Sequence, residues 1–93
     1  MNITTMMKVV HHEDLGSSAK ILWLKLFERY GYESFSGHYE EMAEEVGSKR
    51  YTVRAQIWQL KDAGAIDVEP YYEGEKKGNS GQTFKLINPN KWR

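Results

Sequence analysis

The chain has 93 residues, 40% apolar and 13% aromatic, with 13 Lys plus Arg balanced by 13 Asp plus Glu and no cysteine. That length supports one domain with one core, a binding module rather than an enclosed active-site cleft, and the missing cysteine excludes a disulfide framework or a thiolate zinc site. The longest apolar run, Ile21 to Phe27, is broken by Lys25 and falls short of a membrane span, and Met1 to Val10 lacks the pattern of a secretory leader, so the expected location is cytoplasmic and no membrane partner is expected.

Residues 1–14 carry no evident helical period; Met6 to Val10 is expected either to add an edge strand or to pack across the domain. Residues 17–30 predict the first helix. Ser17 and Ser18 offer N-cap hydroxyls, Ala19, Leu22, Trp23, Leu26, Phe27 and Tyr30 form one face, and Gly31 follows where a left-handed cap is needed. Ile21 and Leu24 fall outside that face. They are expected to lie under the N-terminal segment or to form a contact with a second copy of the chain.

Residues 37–46 predict a short second helix, after a linker with room for a few strand residues around Phe35. Its buried stripe is Tyr39, Met42, Ala43 and Val46, while Glu40, Glu41, Glu44 and Glu45 face outward, where they would repel a phosphate backbone. Residues 48–63 predict the third helix, capped by Ser48, packed through Val53, Ile57 and Leu60, and stopped by Gly64. Its opposite face gathers Arg50, Tyr51, Arg54 and Trp58 around the small Ala55.

Residues 65–87 predict a β-hairpin, with Ile66 and Val68 alternating on one strand and Phe84 and Leu86 on the other. The connection between the strands is long, rich in glycine, and carries Lys76 and Lys77 among Glu73 and Glu75. Residues 88–93 form a tail in which Lys91, Trp92 and Arg93 are expected to extend a basic surface with Lys85, or to be disordered as termini often are. Charge divides accordingly: residues 1–45 hold 4 basic and 8 acidic side chains, residues 46–93 hold 9 and 5. Such asymmetry marks the second half as the one to meet an anion.

No cofactor, metal or catalytic constellation emerges. Neighbouring residues of His11-His12-Glu13-Asp14 point to opposite sides if extended and have no second ligand pair, and His38 stands near no nucleophile pattern.

Helix, helix, turn, helix and hairpin, with Ser48, Thr52-Val53, Leu60 and Ala63-Gly64-Ala65-Ile66 in sequence, resemble the winged helix-turn-helix family over Ser17 to Leu86. The Ser-Ser-Ala-Lys-Ile-Leu-Trp and Met-Ala-Glu-Glu-Val-Gly stretches look most like modules of phage and plasmid replication initiators and small bacterial regulators. Those initiators normally continue into a further domain, which leaves a stand-alone regulator and an excised domain as alternatives. The resemblance implies an α+β fold of three helices plus a β-hairpin wing, and binding of double-stranded DNA in transcription or replication. A homodimer is an additional expected partnership.

On that reading Lys49, Arg50 and Arg54 read base edges, Tyr51 reaches a phosphate or a thymine methyl, Ser48 and Thr52 hold phosphate, and Lys76 and Lys77 touch the backbone from the wing. Trp58 either packs against the wing or Tyr71 and Tyr72, or contacts a partner, or touches the sugar-phosphate backbone. The alternative function keeps the fold and makes the chain a protein-interaction module anchored by Trp23, Trp58, Tyr71 and Tyr72.

Overall fold

A computed structural model of the chain describes residues 2–70 and 82–92. Tyr71, Tyr72, Lys76, Lys77 and Arg93, on which expectations of wing and tail contacts rest, lie outside the described residues. Among the described residues the fold is α+β, with four α-helices and a small three-stranded antiparallel sheet, one helix more than the sequence predicts.

The additional helix is α1, Ile3–Val10, where a strand or an irregular segment was expected. Asn2 starts it, its side-chain oxygen accepting from the Thr5 backbone N–H at 2.8 Å, which satisfies one of the donors a helix N-terminus leaves open. Only Val9 is buried. A short helix is marginal alone, and this one is held from outside: the Lys8 amine bonds Asn90 Oδ1, and the Lys20 amine donates to the Val10 carbonyl at 2.6 Å.

Helix α2, Ser17–Tyr30, has the expected bounds, with Ala19, Leu22, Trp23 and Leu26 buried and Phe27 and Tyr30 packed beside them. Its cap is not a serine. Gly16 takes the N-cap position, its carbonyl accepting from Lys20 N–H, while the Gly16 N–H donates to Gln59 Oε1 at 3.1 Å. The Trp23 indole N–H donates to the Ala65 carbonyl at 2.9 Å inside the core, so one side chain joins α2 to the start of the sheet.

Strand β1, Phe35–Gly37, claims residues expected to open the next helix; α3 therefore starts later, spanning Tyr39–Val46 with His38 at its N-cap. Gly47, at φ 69°, ends α3. Its N–H and that of Ser48 donate back to Glu44 and Ala43, at 3.4 and 2.8 Å, the paired closure that a left-handed residue after a helix permits. Ser48 thus finishes one helix instead of capping the next: α4 spans Arg50–Asp62, with Lys49 at the N-cap and no side-chain cap.

Val53, Ile57 and Leu60 bury the inner face of α4 as their spacing predicts. Gly64, at φ 76°, closes this helix in the same way as Gly47, with Ala65 N–H donating to the Leu60 carbonyl at 2.8 Å. Ala65 and Leu60 are both buried, the apolar contact that accompanies such a closure.

Strands β2, Ile66–Pro70, and β3, Gln82–Leu86, pair antiparallel with Ile66 opposite Leu86 and Val68 opposite Phe84. β3 is central, because β1 pairs on its other side with Phe35 opposite Phe84. Phe84 is fully buried, stacked on Phe35 and meeting Tyr39 edge-on.

The tail docks instead of being disordered, with Lys91 left exposed. Asn88 starts a 3₁₀ turn at Pro89–Lys91, and the Trp92 indole N–H donates to the Ile87 carbonyl at 2.7 Å. The Trp92 ring stands edge-on to Trp23 and His12, at centroid distances of 5.1 and 5.7 Å. Both ends of the described chain therefore meet on one side of α2. Among the described residues no helix is long and apolar enough to cross a membrane.

Candidate functional site

A tight turn between α3 and α4 and an inner face committed to the core leave one face of α4 to solvent. Val53, Ile57 and Leu60 point inward; at about 100° per residue, Arg54, Trp58, Tyr51 and Ala55 succeed one another around the opposite side. All four are exposed, Tyr51 at 69% and Trp58 at 45%. Lys49 and Arg50 are exposed at the N-terminal end, and Thr52 is half-buried on the flank. The spacing in the sequence therefore located Tyr51, Arg54, Ala55 and Trp58 correctly, whereas Arg50, expected among them, falls about 20° from the buried Ile57 and is exposed because it opens the helix.

Its cations and rings are arranged together. The Lys49 amine lies 5.9 Å from the Tyr51 ring centre, and the Lys61 amine 4.6 Å from the Trp58 ring centre, distances at which an ammonium is attracted to an aromatic face. Lys61 was missed by the sequence reading, although its position three residues after Trp58 puts it on the same side of the helix. The backbone N–H groups of the first turn of α4 receive no side-chain cap and, with the positive end of the helix dipole, favour an anion there.

Trp58 does not disappear into the fold, and its 45% exposure leaves a large apolar ring in the middle of the cationic ridge. The proposed packing against Tyr71 or Tyr72 falls outside the described residues. Trp23, by contrast, is 0% exposed and bonded to Ala65; it is a core residue and cannot anchor a partner.

The acidic helix is less separate from this ridge than its sequence suggested. Glu40 of α3 lies 3.6 Å from Arg50, both side chains largely exposed. Glu45 turns the other way, to Arg29 at 3.5 Å and the Tyr30 hydroxyl, and so braces α3 on α2. Sequence spacing could not reveal the Glu40 pair, because it depends on how α3 and α4 cross.

Ile21 is 53% exposed and Leu24 half-buried against the core, so the N-terminal segment does not cover Ile21. Ile21 instead borders an open groove of ≈ 180 Å³ with Ser18, Lys25, Ser48 and Gln56. Lys85 is exposed on β3, opposite Asp67 in the strand register. The described residues contain no grouping of acidic, histidine or cysteine side chains able to hold a metal ion. No protein-family model matches the chain, and no curated protein matches its sequence.

Proposed function

We propose that the chain is a winged-helix domain that binds double-stranded DNA sequence-specifically, as a transcription regulator or a replication-origin binding module. One observation carries this reading: the exposed N-terminal half of α4 presents Lys49, Arg50, Tyr51 and Arg54 directly after a tight inter-helix turn, around a helix end without a side-chain cap. A helix of this diameter fits the major groove, where Arg can bond the O6 and N7 edge of guanine and neighbouring groups can hold phosphate. The order of helices and the three-stranded sheet are compatible with a winged-helix arrangement.

In this account Arg50 and Arg54 read bases, Tyr51 contacts a phosphate or a thymine methyl, and Lys49, Ser48 and Thr52 position the backbone. Lys76 and Lys77, which the sequence places between β2 and β3, supply wing contacts. Trp58 and Lys61 form the C-terminal limit of the contact. Selection of bound sequences from a random duplex pool tests the reading. An enriched motif is expected, and its recovery should fail for the Arg50→Ala/Arg54→Ala double variant; equal recovery by that variant would reject groove reading by α4.

The exposure of Tyr51 and Trp58 favours a second reading, a protein-interaction surface, because aromatic and arginine side chains dominate interface hot spots. It predicts weak, salt-insensitive contact with DNA, the reverse of what phosphate binding requires.

A further inference from the structure

Tyr51, Arg54, Ala55 and Trp58, the exposed ridge of α4, follow one another at intervals of three, one and three residues. A helix lying along the major groove brings side chains to base edges at the same intervals. Trp58 holds the last of the four positions, and its ring is 45% exposed. Arg54 alone among them is charged. An indole left in water on that line gains most where it meets an apolar surface.

We propose that Trp58 reads a thymine, by packing its ring against the C5-methyl group. The inference rests on duplex binding by α4 and names the feature of the duplex that this ring selects. Major-groove base edges offer hydrogen-bond donors and acceptors throughout, but one apolar group, the thymine methyl. Against a guanine or cytosine edge the ring would strip water from polar groups without replacing their hydrogen bonds, which costs affinity. Ala55, one turn earlier on the same ridge, has no side chain long enough to hold the helix away from the bases.

The flanking charges favour a nucleic acid over a protein as the surface that meets the ring. The Lys61 amine lies 4.6 Å from the Trp58 ring centre and the Lys49 amine 5.9 Å from that of Tyr51. Each ring thus has a lysine at its side. Lysine is depleted at the centre of protein interfaces, whereas phosphates line both walls of the groove that presents the methyl. Asp62, exposed four residues beyond Trp58, ends the contact, because its carboxylate repels phosphate.

Helix geometry also fixes where the thymine lies. Trp58 follows Arg54 by four residues, about 6 Å along the helix axis, which corresponds to one or two base-pair steps of about 3.4 Å. The thymine is therefore expected within two base pairs of the base that Arg54 specifies.

Selection from a random duplex pool supplies the site, and uracil then replaces each thymine in turn, removing the methyl while keeping pairing and every hydrogen-bonding group. One replacement, within two base pairs of the position that loses preference in Arg54→Ala, should weaken binding by the wild-type chain roughly three- to fivefold, the effect of one buried carbon. Trp58→Ala should bind the thymine and uracil duplexes equally, with an unchanged salt slope because no charge is lost. A site without thymine at that distance, a wild-type chain that ignores the methyl, or a Trp58→Ala chain that still distinguishes the two bases overturns the inference. Uniform weakening by Trp58→Ala, with no response to the methyl in the wild-type chain, would give the ring to the sugar-phosphate backbone. A pool that yields no motif removes groove reading itself, whereas a motif indifferent to its thymine methyls overturns this assignment alone.

Discussion

Arg50 has two competing anions, the Glu40 carboxylate at 3.6 Å and, on the proposed reading, a nucleic acid. The pair is exposed, so its intrinsic strength is small, but the carboxylate also repels phosphate brought to the same place. Glu40→Gln should tighten binding to a duplex roughly two- to fivefold, an effect of the size expected for an exposed pair; fluorescence anisotropy at fixed salt would measure it. Arg54→Ala should weaken binding to a selected site by roughly ten- to a hundredfold and relax preference at one base position, which competition between single-base variants of the site would detect. Trp23 belongs to a different category. Trp23→Phe removes the donor to the buried Ala65 carbonyl and leaves a void, costing roughly 2–4 kcal/mol in urea unfolding. Trp58→Ala should change stability by no more than about 0.5 kcal/mol because it alters an exposed position. Helical spacing separates the two tryptophans, Trp23 on the apolar face of its helix and Trp58 opposite Val53 and Ile57, and the structure agrees; only the alternative that grouped both as partner anchors fails, at Trp23.

At the scale of elements, glycine and apolar spacing were the legible signals. Val53, Ile57 and Leu60 fixed the inward face of α4, and with it the outward position of Arg54 and Trp58. Gly47 and Gly64 mark the helix ends because their φ angles, 69° and 76°, are costly for a residue with a Cβ. Gly47→Ala tests this separately from packing, since a Cβ there would meet nothing within 4 Å. The expected loss is about 1–2 kcal/mol, from the backbone conformation alone, read as a lower urea midpoint with unchanged slope. What was not legible depended on partners distant in sequence. α1 is the exception: Ile3, Met6, Met7 and Val10 recur at helical spacing behind an Asn2 cap, a local signal that was missed, and only its anchors, Asn90 and Lys20, lie on other segments. β1 exists because β3 offers it an edge, and that pairing took Gly37 from the start of α3. The serines expected to cap α2 and α4 were bypassed because backbone groups of Gly16 and Gly47 set the helix boundaries first.

Over the whole molecule, neutrality conceals a separation of charge that the fold partly preserves and partly undoes. The basic half of the sequence contains α4, yet Glu40 and Asp67 stand beside two of its cations. At physiological salt the screening length is about 8 Å, so the few cations on one ridge matter more to a contact than the formal total of +0. The central claim is that this ridge meets DNA, and the most direct measurement is anisotropy of a labelled random-sequence duplex titrated with the protein from low to physiological salt. The account predicts binding at low salt that weakens steeply, with a log–log slope of about −3 for three to four phosphates neutralised, and a shallower slope for Arg50→Ala/Arg54→Ala. Absence of binding at low salt, or binding whose strength ignores salt, would contradict it and assign the ridge to a protein partner.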